Sequence, residues 1–301
     1  MTPRVVAAGL VTLDVVQAVA ALPRSNHKQV ATGLEVDFGG PAANAAGVAA
    51  GLGVRAELVA AIGTGPVARA VSTYLRAAGV EAIDLAPSVD RAFGVSTVLV
   101  EPSGERSVVS TNAREVPLEL AVGVRRLAGA DALLVDGHRM DLCLAMAQAA
   151  REAGVPVILD GGSWKPGTDQ LVRFVDVAVV SADFHPPVSS VAELMRGAGV
   201  FAFGQSRGDE AWELEVAGVR SRIDVPRVDV VDTLGAGDVL HGALLAAVAR
   251  LGIARGDLSG RAAEVVAAAR YASRVASLSC AASGARGWLA RDLPSWATQP
   301  A

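Results

Sequence analysis

The fold is decided by the stretch Val230-Val231-Asp232-Thr233-Leu234-Gly235-Ala236-Gly237-Asp238-Val239. Two β-branched residues predict the end of a strand, the glycines predict a turn, and the apolar residues 239–251 predict a long helix. Because Gly235, Ala236 and Gly237 are small, a ligand can approach the backbone N–H groups at the helix start. Unpaired donors and the positive end of the helix dipole favour an anion there, so the stretch predicts a phosphate site.

Asp238 stands beside this anion site, where a carboxylate repels phosphate and gains nothing as a simple binder. It makes chemical sense as a base that accepts the proton of a hydroxyl group attacking the phosphate. The alternative is that Asp238 only caps the helix. A glycine-rich turn before a helix does not by itself decide between the two interpretations.

A second motif is Phe38-Gly39-Gly40-Pro41-Ala42-Ala43-Asn44-Ala45-Ala46, in which two glycines end a predicted strand. Asn44 stands alone in a row of alanines, and a polar side chain on such a packed helix needs a partner. That partner is either the backbone or a polyhydroxylated ligand at the helix start. Asp14 also interrupts an apolar region, and its carboxylate can accept two hydrogen bonds from a vicinal diol.

The chain has 301 residues, of which 51% are apolar and only 4% aromatic, so its core is expected to consist mostly of Ala, Val and Leu. Residues 5–11 predict a buried first strand, and from about residue 118 helices and strands alternate, which indicates parallel strands with helices on both faces. The polar early strands and a predicted hairpin do not fit that core. We expect an α/β fold with a three-layer αβα core (1–11, 41–90 and 113–301) and a small β-sheet lid (12–40 and 92–112, with the hairpin at 93–101 and 105–111).

Charge and composition argue against several classes of partner and site. The net charge of −4 provides no broad cationic field for nucleic acid or an anionic membrane. No uninterrupted apolar stretch reaches the roughly 18 residues of a membrane span. Cys143 and Cys280 are too few for a disulfide framework and indicate reduced thiols in a cytoplasmic protein. The four histidines show no metal-ligand spacing.

Taken together, the two motifs resemble the signature motifs of the ribokinase-like (PfkB) carbohydrate kinases, and their order and separation match as well. The resemblance covers essentially the whole chain. The runs 133–138, 159–161, 228–243 and 279–280 point toward the ketohexokinase and sulfofructose kinase branch. The resemblance implies a Rossmann-like core with a β-sheet lid, ATP as phosphoryl donor and a divalent cation, normally Mg²⁺; activation by a monovalent cation stays open.

The resemblance also implies roles for individual residues. Asp238 falls on the catalytic base, and Gly235, Ala236 and Gly237 fall on the anion hole. Contacts with the substrate are implied for Asp14, Lys28, Gly39, Gly40, Asn44, Arg106 and Asp136. Contacts with the nucleotide are implied for Ser181, Gly208, Thr233, Gly235, Gly237 and Cys280. Lys28 matches a lysine that sulfofructose kinases direct at the anionic end of their sugar.

Three departures from the family pattern limit these implications. Ser181-Ala182-Asp183-Phe184 stands in place of an Asn-x-x-Glu motif that organises the metal, so the metal ligands stay unassigned. Within residues 203–208, only Gly208 matches the nucleotide loop well. His138 replaces the sulfonate-binding arginine of sulfofructose kinases, so an anionic sugar is not required.

We therefore expect an enzyme, a carbohydrate kinase that uses ATP to phosphorylate a hydroxyl group of a ketose or related small-molecule sugar. The alternatives are a nucleoside kinase of the same superfamily and a non-catalytic protein that senses a sugar or a nucleotide. A lid built from a small exposed sheet leaves apolar surface and strand edges to cover. Because lids of this family often pair across a two-fold axis, we expect a homodimer formed through the lid.

Overall fold

The helices and strands are seen in a computed structural model that describes residues 2–111 and 114–298. The strands are β1 (Arg4–Ala8), β2 (Thr12–Ala18), β3 (Gly33–Gly39), β4 (Arg55–Ala60), β5 (Val80–Asp84), β6 (Gly94–Val100), β7 (Arg106–Ser110), β8 (Ala132–Val135), β9 (Val157–Gly161), β10 (Val177–Val180), β11 (Ala202–Gln205), β12 (Trp212–Val216) and β13 (Val219–Ile223). The helices are α1 (Pro41–Gly51), α2 (Pro66–Ala77), α3 (Leu120–Arg125), α4 (Met140–Glu152), α5 (Thr168–Leu171), α6 (Val191–Ala198), α7 (Ala236–Arg250), α8 (Ala262–Ser279) and α9 (Ser295–Thr298). Short 3₁₀ turns lie at Val172–Phe174, Arg255–Gly260 and Gly287–Ala290.

The large sheet has the strand order β13-β12-β11-β10-β9-β8-β1-β4-β5. Its neighbouring strands pair in parallel, except for β12 and β13, which add an antiparallel hairpin at one edge. Alternate residues of β1 face opposite sides of the sheet. Val5 and Ala7 pack with α1, α2, α7 and α8, whereas Val6 and Ala8 pack with the layer of α4 to α6. Helices therefore cover both faces, which confirms the predicted three-layer α/β core.

Small residues allow the two helices that carry the motifs to pack closely. α1 begins with Pro41, whose fixed φ suits the first helical position. A Cβ atom at Gly242 of α7 would lie 2.6 Å from the Ala45 carbonyl oxygen and 2.7 Å from Val48 Cβ of α1. Only glycine fits there, so this contact brings the N-terminal halves of α1 and α7 together. In the described part of the chain, none of the helices is both long and apolar enough for a bilayer crossing.

A second, smaller sheet has the strand order β3-β2-β6-β7; it corresponds to the expected lid, and we call it the lid below. β2 pairs antiparallel with β3 and parallel with β6, and β6 and β7 form the predicted hairpin. Asp14 of β2 lies opposite Asp37 on one side and Ser96 on the other, so these polar side chains share one face. The expected bounds at residues 112 and 113 lie outside the described residues, as do residues 1 and 299–301.

Two strand predictions are wrong. Residues 5–11 do not form one strand, because β1 ends at Ala8 and the chain then leaves the large sheet to begin β2 in the lid. Val230 and Val231 do not end a strand; β13 ends at Ile223 and both valines are exposed. Their β-branched side chains favour a strand only where a partner strand is available. The segment lies instead against the end of α8, where the N–H groups of Val231 and Asp232 donate to the Cys280 carbonyl oxygen at 2.8 and 3.2 Å.

Glu57 on β4 is a buried carboxylate whose partners come from several elements. Its side chain is 0% exposed and accepts hydrogen bonds from Arg4 Nη1 at 3.0 Å and from Arg126 Nε at 2.7 Å. Arg126 also donates to Glu81 of β5 at 2.7 Å, so the network ties three neighbouring strands to the turn after α3. Desolvation raises the pKa of Glu57, but the hydrogen bonds from Arg126 and Arg4 outweigh it and hold the pKa below its ordinary value of 4.5.

Glu57→Gln is expected to lower the free energy of unfolding by about 2 kcal/mol at neutral pH, because Arg4 and Arg126 lose their buried counter-charge. Since the pKa is lower in the folded state, this stabilisation is complete above pH 4.5 and is lost as the pH falls through the folded-state value. Urea unfolding of the wild-type protein and of Glu57→Gln, repeated from below pH 4.5 to neutral pH, measures the difference in free energy of unfolding. Glu81→Gln, at a half-exposed partner, is the control and should lose less than about 1 kcal/mol. Equal losses at the two positions would contradict the expectation.

Candidate active site

A cleft of about 710 Å³ lies between the lid sheet and the starts of α1 and α7. The lid contributes its polar face, and the core contributes both sequence motifs and the segment after α8. Residues from all three parts line it, among them Asp14, Gly40, Asn44, Gly235, Asp238 and Arg286. Five of these six were predicted from the sequence, so the structure brings residues of both motifs and Asp14 into one cavity.

The glycine-rich turn has the conformation that an anion site needs. Gly235 has a φ of 73° and immediately precedes α7, so the first N–H groups of the helix have no intrahelical partners. The Asp232 carboxylate holds the turn in place by accepting from the N–H groups of Leu234 at 2.9 Å and Gly284 at 2.8 Å. The turn is therefore fastened to the segment after α8, a contact that the sequence motif does not reveal.

Asp238 is a half-buried carboxylate that faces Asn44. Asn44 Nδ2 donates a hydrogen bond to Asp238 Oδ2 at 2.6 Å, and among the described hydrogen bonds the Asp238 carboxylate accepts none from the backbone at the start of α7. Desolvation and the neighbouring Asp160 carboxylate raise the pKa of Asp238 to about 7, while the Asn44 hydrogen bond and His241 oppose the rise. These contacts favour the base interpretation over the capping interpretation. A carboxyl group with this pKa can accept a proton near neutral pH.

The two glycines before α1 serve two different purposes. A Cβ atom at Gly39 would lie 1.9 Å from Asp14 Oδ2, so the bare backbone leaves room for that carboxylate. Gly40 has a φ of 93°, and a Cβ there would lie 2.6 Å from the Leu10 carbonyl oxygen. Desolvation raises the pKa of Asp14 above its ordinary value of 3.8, and hydrogen bonds from Thr12 and Ser96 offset part of that rise. Gly39 therefore accommodates a cleft carboxylate, and Gly40 lets the chain turn into α1.

Four of the predicted substrate contacts do not line the cleft: Asp136, Lys28, Arg106 and Gly39. Asp136 is buried and accepts hydrogen bonds from the N–H groups of Leu10 at 2.8 Å, Ala42 at 3.2 Å and His138 at 2.9 Å, so it does not line the cleft. Both of its oxygens accept hydrogen bonds from the backbone, and its predicted contact with the substrate stays a prediction. Lys28 is exposed on the loop between β2 and β3 and does not line the cleft either.

Arg106, the third of these, reaches from lid strand β7 to the glycine-rich turn. Its Nη2 donates to Thr233 Oγ1 at 2.8 Å, and its Nη1 lies 3.8 Å from Asp232 Oδ1. The side chain therefore links the lid to the turn rather than lining the cavity between them. This contact also occupies the hydroxyl of Thr233, a predicted nucleotide contact.

The other predicted nucleotide contacts follow neighbouring strands or helices of the core. Ser181 follows β10, where its Oγ donates to the Gly162 carbonyl oxygen at 2.7 Å and accepts from the Asp183 N–H at 3.1 Å. Gly208 is exposed in the turn after β11, with a φ of 64°. Cys280 follows α8. Ser181 and Gly208 lie beyond the carboxyl ends of parallel strands, which is where open α/β sheets bind ligands.

His241 is hydrogen-bonded more extensively than helix packing alone requires. Its Nδ1 lies 2.8 Å from the Gly237 carbonyl oxygen and 3.2 Å from Asp160 Oδ2, and its Nε2 lies 2.9 Å from the Val179 carbonyl oxygen. Both ring nitrogens therefore face oxygen atoms of the protein. Desolvation raises the pKa of the buried Asp160, and His241 opposes the rise. The pair connects α7 to β9 and β10 beneath the cleft.

Arg286 and Asp37 are cleft residues that the sequence analysis missed. Arg286 donates to Asn44 Oδ1 and, at 2.5 Å, to Asp37 Oδ2, and its guanidinium carbon lies 3.6 Å from the Phe38 ring centroid. From the sequence, Arg286 could be recognised merely as a cationic residue in the loop that follows α8. Nothing in the chain order relates it to residues 37 and 44, which are brought close only by folding.

Gly235→Ala is expected to lower the free energy of unfolding by about 1–3 kcal/mol. The new Cβ would lie 2.5 Å from Ala285 Cβ, at a backbone φ of 73° that disfavours any side chain. Gly237→Ala is the matched control, because nothing lies within 4 Å of a Cβ there. Urea unfolding of the three proteins measures the difference. Equal stability of the two variants would show that the turn is not held against the segment after α8.

Comparison with known proteins agrees with this geometry. The family description "pfkB family carbohydrate kinase" matches residues 2–183 and 209–290. An ATP-dependent ribose-1-phosphate kinase of Halopiger xanaduensis is 31% identical over 160 residues, which are 53% of this chain and 54% of that protein, so the match spans about half of the relative's length.

Solved structures show the same fold at low identity. Ribokinase from Giardia lamblia superimposes with a TM-score of 0.80 at 17% identity, covering 96% of each chain. Ribokinase from Arabidopsis thaliana, solved with ribose and ATP, has a TM-score of 0.72 at 21% identity and covers 97% of this chain and 100% of that chain. The fold is therefore ribokinase-like. Because the family match includes both motifs and most of the sequence, the chain belongs to the pfkB family of carbohydrate kinases.

Proposed function

We propose that this kinase transfers the γ-phosphoryl group of ATP to a hydroxyl group of a sugar bound in the cleft, with Asp238 as the general base. The observation that supports this proposal most is the placement of the Asn44-bonded Asp238 carboxylate in one cavity with the Gly235 turn. A base and a set of main-chain donors then face the same reacting group.

In this mechanism the sugar lies under the lid, and Asp14, Gly39, Gly40 and Asn44 contact its hydroxyl groups. The reacting hydroxyl donates its proton to Asp238 as its oxygen forms a bond to the γ-phosphorus. The bond from phosphorus to the β–γ bridging oxygen breaks, and ADP leaves. N–H groups at the Gly235–Gly237 turn stabilise the charge that develops on the transferred group. The lid excludes water, which suppresses hydrolysis of ATP.

The nucleotide is proposed to lie beside Ser181, Gly208, Thr233 and Cys280, next to the glycine-rich turn. In the described ranges, no three side chains of His, Cys, Asp or Glu are grouped so that they could hold a metal ion. Mg²⁺ commonly binds to one or two carboxylates together with substrate phosphates and water. A Mg²⁺ ion that accompanies ATP would therefore be held here chiefly by phosphate oxygens and water, and it would neutralise phosphate charge.

A screen for sugar-dependent ADP release with ATP and Mg²⁺ tests the proposal. The panel should contain ketoses, aldoses including ribose, a ribose 1-phosphate, sulfo-sugars and nucleosides. Ribose 1-phosphate is included because the Halopiger relative is named for it. We expect turnover with at least one sugar. Turnover with nucleosides alone would make the protein a nucleoside kinase, and sugar binding without any ADP release would make it a sensor.

Asp238→Asn is the control for this screen, since it keeps the shape of the side chain but removes the base. It should lower kcat by roughly 10²–10⁴-fold with little loss of sugar binding. In the wild-type protein, kcat/KM should rise with pH through about 7, because the base must be deprotonated and its pKa is raised to about 7. Near-normal turnover of the variant would remove Asp238 from the base role.

We also propose that two copies of the chain pair through the outer face of the lid. Val36, Val15, Thr97 and Val109 lie opposite one another across the four strands, on the face that points away from Asp14. Val109 is 75% exposed and Leu34 of the same face 65% exposed. Contiguous apolar surface of this kind is typical of a protein interface.

Light scattering at micromolar concentration should therefore give the mass of a dimer. Val109→Glu should convert it to a monomer, because the charge would be buried in the interface. Val219→Glu is the matched control; Val219 is 69% exposed but lies on edge strand β13, away from the lid. A wild-type monomer, or a dimer that survives Val109→Glu, would contradict this arrangement.

A further inference from the structure

A row of polar contacts crosses the cleft from the lid to the proposed base. Asp37 of lid strand β3 accepts from Arg286 Nη2 at 2.5 Å, and the Phe38 carbonyl oxygen accepts from the same nitrogen at 2.8 Å. Arg286 Nη1 donates to Asn44 Oδ1. Asn44 Nδ2 in turn donates to Asp238 Oδ2 at 2.6 Å. Four parts of the chain are connected in this way: the lid, the segment after α8, α1 and α7.

The chemistry of these groups fixes which way the Asn44 amide points. A guanidinium group only donates hydrogen bonds, so Arg286 can face only the amide oxygen. An ionised carboxylate only accepts, so Asp238 can face only the amide nitrogen. Without Arg286, the amide could rotate and bring its oxygen toward Asp238. Two acceptors would then face each other, and the ionised form of Asp238 would lose its hydrogen-bond donor.

Arg286 itself is held in place from several sides. Its side chain is only 13% exposed, it lies over the Phe38 ring at 3.6 Å, and it pairs with Asp37. Guanidinium groups are suited to such planar stacking and forked hydrogen bonding, whereas a lysine ammonium group is not. The position of this side chain therefore depends on where lid strand β3 lies.

We propose that Arg286 is a positioning residue for the kinase: it fixes the Asn44 amide so that its nitrogen donates to Asp238, and it ties this pair to the lid through Asp37. The inference rests on the proposed role of Asp238 as the base. It adds a link between lid position and the readiness of that base, because a displaced β3 would take Asp37 away from Arg286. Arg286 acts through Asn44 and does not contact the reacting atoms.

Other charged groups also face Asp238, so the test must separate their effects from that of Arg286. Asp160 of β9 and Asp136 after β8 favour the protonated form of Asp238, and His241 of α7 favours the ionised form. The lid and the remaining walls of the cleft add Asp14, Glu35, Asp37, His138 and Arg291. Arg291 is the useful comparison, because it carries the same charge on the same segment but makes no side-chain contact with Asn44 among the described hydrogen bonds.

The test is an NMR titration of the Asp238 carboxyl carbon in the full-length protein without substrate. In Arg286→Met, the pKa of Asp238 should rise by about 0.5–1 unit, which corresponds to the weakening of one hydrogen bond to the charged form. In Arg291→Met, the shift should stay below about 0.2 unit, because an exposed charge is screened by solvent and salt. Arg286→Lys retains the charge without the fork and should give a smaller rise than Arg286→Met.

The same titration in an Asn44→Ala background decides whether Arg286 acts through the amide. Adding Arg286→Met to Asn44→Ala should produce no further shift, since the intermediary is already gone. An equal shift in both backgrounds would show a direct charge effect and overturn the proposal, as would no shift in Arg286→Met or equal shifts in Arg286→Met and Arg291→Met. If Arg286→Met does not fold, Arg286→Lys is compared with wild type in both Asn44 backgrounds.

This titration needs no substrate, so its outcome is separate from that of the kinase screen. If a sugar substrate is found, the acid limb of kcat/KM should move upward in Arg286→Met by the same amount as the NMR pKa. A loss of folding alone would lower the amount of active enzyme without moving that limb. A titration shift without any kinase activity would leave the Arg286 link standing and overturn only the proposed function.

Discussion

The hydrogen bond from the Asn44 amide to the Asp238 carboxylate joins residues 194 positions apart in the chain, and the geometry of the cleft depends on it. It forms because α1 and α7 pack closely against each other on the same face of the large sheet. Gly242 makes that approach possible, since any side chain would collide with the backbone of α1. A core poor in aromatic residues is thus suited to this site, because small side chains let two helix starts meet.

The carboxylates of Asp136, Asp160 and Asp238 lie close together near this bond, and each has different partners. Asp136 accepts backbone hydrogen bonds, and Asp160 faces the His241 ring. Asp238 has an amide donor but, within residues 2–111 and 114–298, no cationic side chain in ion-pair contact, and its carboxylate neighbours make ionisation harder. Desolvation raises the pKa of both Asp160 and Asp238, but of these two only Asp238 lines the cavity, where a group that exchanges protons is expected.

The lid is joined to the core by arginines on both sides of the cleft. Arg106 reaches from the lid to Thr233, and Arg286 reaches from the core to Asp37 of the lid. The sequence analysis predicted a lid and placed Arg106 at the substrate, but its partner could not be read from the chain because it lies 127 residues away. Side chains of this length contact whatever the packing of separate sheets brings within reach, and local sequence does not encode that packing.

The sequence by itself determined the local backbone of this protein. Glycine and proline restrict or permit particular dihedral angles, so the starts of α1 and α7, at Gly40-Pro41 and Gly235, follow from residue type alone. Three outcomes were decided only by the tertiary structure. Val230 and Val231 do not pair with a strand, and Asp136 accepts hydrogen bonds from backbone N–H groups. Arg286 donates a hydrogen bond to Asn44. Each of those outcomes depends on a group far away in the chain, and its distance and orientation exist only once the layers have packed.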